Sequence, residues 1–109
     1  MTTGLAYLLL ILAILSEVAA TSALKASDGM TRLWPATLVV AGYATAFFLL
    51  SQTLKTLPVG LAYAIWAGVG VVGVALVGIF LFGEVMTPVK AVGIALIILG
   101  VVLVQTNMA

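Results

Sequence analysis

Four apolar runs of about 20 residues, parted by short turns, fill this chain almost from end to end. That is the length an α-helix needs to cross the hydrocarbon of a bilayer. Within hydrocarbon, a backbone satisfies its own hydrogen bonds only as a helix or a closed barrel. The runs exclude the barrel, because spanning strands are about 10 residues long and alternate in polarity. Helices are therefore expected over about residues 3–24, 34–54, 59–82 and 88–106, forming a single four-helix membrane domain over residues 1–109. Charged residues make up 6% of the chain, against roughly 25% in soluble domains, so no water-soluble domain fits beside the helices.

The punctuation supports these boundaries. Lys25 to Arg32 (KASDGMTR) supplies a helix stop and a polar loop, and Trp34-Pro35 opens the second run with a proline suited to a first helical turn. Lys55 to Pro58 is so short that the second and third helices should be antiparallel neighbours. The start, MTTGLAYLLL, has no basic region ahead of its apolar stretch and reads as a retained helix rather than a cleaved signal. With both termini on one side, Lys25, Arg32 and Lys90 oppose Lys55 and the N-terminal amine. Under the positive-inside rule that bias is weak, and such a near-balance permits insertion in both orientations.

Several chemistries are excluded by what is missing. Without Cys or His there is no disulfide, no thiol nucleophile, no Ser-His-Asp triad, and none of the usual zinc or haem ligand sets. No phosphate-binding loop is present, so neither an enzyme, a metal site nor an organic cofactor is expected. A net charge of +1 with no basic patch gives nucleic acid nothing to bind.

Against this background Glu17 stands out as a carboxylate inside the first apolar run. A charge there costs at least a few kcal/mol and is rarely kept without a task. Glu17 precedes Lys25 by eight residues, which sets it about 12 Å inside the helix end. Ala13, Glu17 and Thr21 recur every four residues on one face, a stripe of small and weakly polar groups that leaves room beside the acid for a ligand. Apolar surroundings disfavour the ionised carboxylate and an approaching cation favours it, so a proton and a cationic substrate exclude each other. The competing reading is a structural acid, either bonded to a neighbouring helix or snorkelling to the interface.

Aromatic and small residues complete the pattern. Tyr63 and Trp66 share a face of the third run, deeper than an interfacial belt, and Tyr43 and Phe47 share a face of the second. Such rings either pack or enclose organic cations, which are drawn to electron-rich ring faces. Gly68 and Gly70, with Val69 between them, follow Trp66 and suit either close helix packing or a local bend. On the fourth run Gly93, Leu96 and Gly100 share one side, which reads as a packing or dimerisation face.

In combination, Glu17-Val18-Ala19-Ala20-Thr21 with Leu24-Lys25, GMTRLWP from Gly29 to Pro35, LPVGLAYAIWAGVG from Leu57 to Gly70, and Gly93, Leu96, Gly100 and Val101 resemble the small multidrug resistance family, most closely its multidrug branch. The resemblance covers essentially the whole chain. It implies an all-α integral membrane protein of the bacterial inner membrane, working as an antiparallel homodimer. It further implies an antiporter that lets protons in and drives hydrophobic organic cations out, such as quaternary ammonium compounds and cationic dyes. The essential acid of the family falls on Glu17, the small polar position on Thr21, and the aromatic substrate and gating positions on Tyr43, Phe47, Tyr63 and Trp66. The third-helix kink falls on Gly68, Val69 and Gly70, and the fourth-helix dimer contact on Gly93, Leu96, Gly100 and Val101. The coupling ion is the proton.

The chain departs from the family pattern in places. Ala67 stands where a Ser or Thr is usual after the third-helix Trp, Ala46 replaces a Ser typical of the multidrug branch, and acidic Glu84 replaces a more basic third turn. SQTLKTLP, with Lys55, is similar to the branch that exports guanidinium compounds, which makes that activity the nearest alternative. Ala20 and Thr21 favour the multidrug branch, since the guanidinium exporters typically place Trp near the acid's next turn. A non-transporting membrane subunit is the other alternative, and it would have no need of a titrating acid.

Overall fold

A computed structural model describes residues 1–108, which form four α-helices and, among the described residues, no strand. They are α1 (Thr3–Ala26), α2 (Leu33–Thr53), α3 (Val59–Phe82) and α4 (Pro88–Met108). Each contains a stretch long and apolar enough to cross a membrane, with mean hydropathy between 1.7 and 2.5. The all-α membrane architecture is thus met. α1 and α4 each run two residues beyond the expected end, α2 lies one residue earlier at both ends, and α3 has the expected ends. The chain divides into two compact units, one from Met1 to Leu57 and one beginning at Pro58.

The first unit is the α1–α2 hairpin. Thr2 caps α1, its side chain accepting from the Leu5 N–H at 3.1 Å. The two helices approach closely at Gly42, where a Cβ would lie 2.7 Å from the Ala20 Cβ and 3.3 Å from the Ser16 carbonyl oxygen. Only a residue without a side chain allows that separation. The contact is fixed by polar bonds in which a hydroxyl of one helix meets a carbonyl of the other. Ser16 Oγ donates to the Gly42 carbonyl at 2.8 Å, and the buried Thr53 Oγ1 shares its one hydrogen between the Leu49 carbonyl of its own helix at 3.0 Å and the Ala6 carbonyl at 3.5 Å.

The α1–α2 turn is built around Ser27. Its fully buried side chain donates to the Leu24 carbonyl at 2.6 Å and accepts from the Met30 N–H at 2.9 Å. Its own carbonyl accepts from both Thr31 and Arg32 N–H at 3.0 Å. These bonds hold Asp28, Gly29 and Met30 in succession at φ 50°, 69° and 68°. Glycine adopts that region freely, whereas Asp and Met incur a cost. We expect Ser27→Ala to destabilise the hairpin by about 1–2 kcal/mol, since it leaves the Met30 amide without its acceptor. Thermal unfolding and limited proteolysis within residues 27–32 would measure it.

The second unit is α3 with α4. Pro58 leads into α3, and Gly83 ends it at φ 68°, closed by a bond from the Glu84 N–H to the Gly78 carbonyl at 2.9 Å. Thr87 then caps α4, accepting from the Lys90 N–H at 3.2 Å, and Pro88 takes the first helical position, where an N–H would have no partner. Gly68 lets α4 come close, because a Cβ there would overlap the Val101 side chain and touch Ile97.

Candidate functional site

Glu17 lies within the spanning part of α1, nine residues before Ala26 and so about 13 Å from that end. It is half-buried. The four-residue spacing delivers what helical geometry promises: Thr21 Oγ1 donates to Glu17 Oε1 at 2.9 Å. The same Thr21 hydroxyl lies 2.7 Å from the Tyr43 hydroxyl on α2. Acid, threonine and tyrosine thus form one row across the helix pair. Tyr43 in turn stacks on Phe47, with ring centroids 6.5 Å apart and planes 29° from parallel.

The register of this row follows from the packing below it. Gly42 sits against Ala20, so the residues next in sequence to each, Tyr43 and Thr21, meet. Within this unit the acid's hydrogen-bond partner is a hydroxyl, not a cationic side chain. Phe47 is 59% exposed and presents a ring face beside the row. An anionic carboxylate with aromatic faces nearby is the chemistry that recognises a hydrophobic cation.

The remaining expected residues fall differently. Ala13 is fully buried and packs, instead of lining open space beside the acid. A small residue at helical spacing serves close packing as readily as it leaves room. Ala46 is likewise fully buried, whereas Ala67 is exposed. In the second unit, Tyr63 is 68% exposed on α3 and Trp66 is half-buried one turn later. The helix continues unbroken through Gly68, Val69 and Gly70, of which both glycines are buried. Leu96 and Gly100 are exposed on α4 and Gly93 is half-buried. Val101 differs from these three, since it lies against Gly68 of its own unit. It is one residue on from Gly100 and hence on the adjacent face, a distinction that the shared small-residue pattern hides.

Two groups were not singled out as site residues by sequence reasoning. Ser16 and Gly42 hold the register on which the row depends, and the only signal for them was a serine and a glycine within apolar runs. Thr21 carries a prediction. Thr21→Val should weaken binding of a hydrophobic cation about fivefold, the worth of one net hydrogen bond, while Thr21→Ser should retain it. Titration of the purified variants with a fluorescent cation would measure both.

Comparisons with known proteins agree with one another. The family described as Small Multidrug Resistance protein matches residues 5–97. A multidrug transporter of Pseudomonas aeruginosa is 48% identical over 99 residues, which is 91% of this chain and 90% of its own length. The quaternary ammonium compound-resistance protein QacE of Escherichia coli is 47% identical over 99 residues, with the same shares of 91% and 90%. Multidrug resistance protein EbrA of Bacillus licheniformis is 45% identical over 101 residues, 93% of this chain and 96% of its own. With four spanning helices and a match over nearly its whole length, the chain belongs to the small multidrug resistance family of transporters and is a multi-pass protein of the bacterial inner membrane.

Proposed function

We propose that this protein is a proton-coupled antiporter that exports hydrophobic organic cations, quaternary ammonium compounds and cationic dyes among them. The observation that carries the reading is the row Glu17–Thr21–Tyr43 inside the membrane span, in which the acid is held by a hydroxyl and not by a cationic side chain. Relatives named for quaternary ammonium and ethidium resistance support the same substrate class.

In this mechanism the ionised Glu17 holds the cation and aromatic rings enclose it. Tyr43 and Phe47 supply ring faces on α2, and the family resemblance assigns Tyr63 and Trp66 to the same task. A proton arriving on Glu17 removes the charge that held the cation, so release on one side is coupled to proton uptake from that side. Return of the proton-loaded form completes the exchange. No organic cofactor takes part.

One chain has too few helices to enclose such a chamber, so the working unit is assigned as a homodimer with two copies of Glu17 facing it. The spanning stretch of α4 has no buried residue, and its exposed Leu96 and Gly100 offer a second copy a close-packing face. An antiparallel arrangement fits the near-balance of positive charge between the two sides.

The test is equilibrium binding of a tetraphenylphosphonium-type cation to reconstituted protein between about pH 5 and pH 9. Affinity should rise with pH by up to about tenfold per unit for each proton displaced, because proton and cation compete for one charge. No binding at any pH by folded protein would sink the multidrug reading and turn attention to guanidinium compounds.

A further inference from the structure

Outside the row on α1 and α2, the second unit holds a titratable pair that this mechanism does not use. Glu84 and Lys90 both line a cavity of about 310 Å³ between the end of α3 and the start of α4. Its walls are apolar, formed by Ala75 and Ile79 of α3 and by Ile94, Ile97 and Gly93 of α4, the last also among the residues that the family resemblance assigns to the dimer contact. Both charged residues flank the turn between two membrane-spanning helices, which places the mouth of the cavity at the headgroup level of the bilayer.

The two charges are poised without satisfying each other. The Glu84 carboxylate turns back along α3 and rests on Gly78, where a Cβ would overlap it. Lys90 Nζ donates to the Val85 carbonyl at 2.8 Å, which uses one of its three donors. Among the described residues no ion pair joins Glu84 to Lys90. The lysine disfavours a simple cation in this cavity, and the glutamate disfavours a simple anion. An acid and a base on apolar walls are complementary to a zwitterion joined to a hydrocarbon body.

We propose that this cavity is a headgroup site for a zwitterionic phospholipid bearing a primary ammonium. Glu84 accepts from the ammonium, Lys90 donates its remaining hydrogens to the phosphate, and the isoleucines take the first segment of an acyl chain. Such a ligand is supplied by the bilayer itself, at the depth where the two side chains stand. A primary ammonium has three N–H donors for the carboxylate, whereas a choline headgroup has none, so ethanolamine is favoured over choline. A glycerol headgroup offers Glu84 neutral hydroxyls and no cation, so it lacks the charge-assisted bond and is disfavoured.

The experiment compares lipids retained by the intact protein when it is extracted from bilayers of equal parts phosphatidylethanolamine, phosphatidylcholine and phosphatidylglycerol. Native mass spectrometry of the purified complex counts them. The ethanolamine lipid should be enriched about tenfold over each of the others, the worth of one charge-assisted hydrogen bond. Glu84→Gln should erase its advantage over choline, and Gly78→Val, which displaces the carboxylate, should do the same. Lys90→Gln should lower retention of all three. Glu84 is solvent-exposed, so Glu84→Gln is expected to keep helix content and elution unchanged, and circular dichroism checks this. Equal retention of the three lipids, preference for the anionic one, or enrichment that survives Glu84→Gln would each overturn the proposal. So would an absence of retained lipid, as expected if a second copy of the chain fills the cavity. None of these readouts depends on transport, so the lipid site and the antiport reading stand or fall separately.

Discussion

Glu17→Gln should abolish proton-driven export of organic cations while leaving the helices folded. The substitution keeps the size of the side chain and a carbonyl oxygen to accept from Thr21 Oγ1, which now donates to Glu17 at 2.9 Å. What it removes is the charge. Truncating one member of a buried charge pair costs about 2–5 kcal/mol, so cation affinity should fall by a factor of roughly thirty to several thousand. The remaining binding should lose its dependence on pH, because the group proposed to exchange cation for proton is gone. Uptake of a fluorescent cation into proteoliposomes under an imposed pH gradient would read transport directly. Glu17→Asp separates charge from reach: it should keep the pH dependence at reduced affinity. Full transport by Glu17→Gln would remove Glu17 from the mechanism and leave the acid with a structural role.

The second large effect is expected at a residue that touches no substrate. At Gly42 a Cβ would meet the Ala20 Cβ at 2.7 Å and the Ser16 carbonyl oxygen at 3.3 Å, so even alanine must push the helices apart. Overpacking of this kind costs about 1–3 kcal/mol, and Gly42→Leu should lie at or above the top of that range. Its functional effect should be larger than its effect on stability. Separation of the helices breaks the 2.8 Å bond from Ser16 to the Gly42 carbonyl and draws the adjacent Tyr43 away from Thr21. Thermal unfolding and the pH profile of cation binding should therefore both change. Ala20→Gly in a Gly42→Ala background restores the space and should recover both. The contrast is Gly100, where nothing lies within 4 Å of the missing Cβ, so the packing of its own unit would tolerate alanine. A Gly42→Leu protein with normal stability and normal binding would show that the helix contact does not set the site.

Much of this was legible in the sequence, for physical reasons that differ by level. The helices were legible because hydrocarbon leaves the backbone few options, and a run of about 20 apolar residues has one way to cross. Glu17 and Thr21 were legible as neighbours because four residues is one helical turn. The meeting of Thr21 with Tyr43 was not. It depends on the register between α1 and α2, which the Gly42–Ala20 contact sets, and no spacing along one helix encodes a spacing across two. Ala13 and Val101 show the same limit, since a small or branched residue at helical spacing does not state which neighbour it meets. The turn at Asp28 and Met30 gave little warning, as glycine is the ordinary marker of left-handed backbone and only Gly29 carries it. Glu84 could be placed in a turn, but nothing local told that its carboxylate folds back onto Gly78.

A hydroxyl owns a single hydrogen, and that gives the row on α1 and α2 a direction. While Thr21 spends its hydrogen on the Glu17 carboxylate, the 2.7 Å contact must be supplied by Tyr43. Once the acid carries its own hydrogen it can donate in turn, and the whole row can swing over like a line of compass needles. Tyr43 then receives where it had given, and its hydrogen is free to point away from the helix pair. The occupancy of one oxygen on α1 is thereby written into the orientation of a phenol on α2, with no backbone moving.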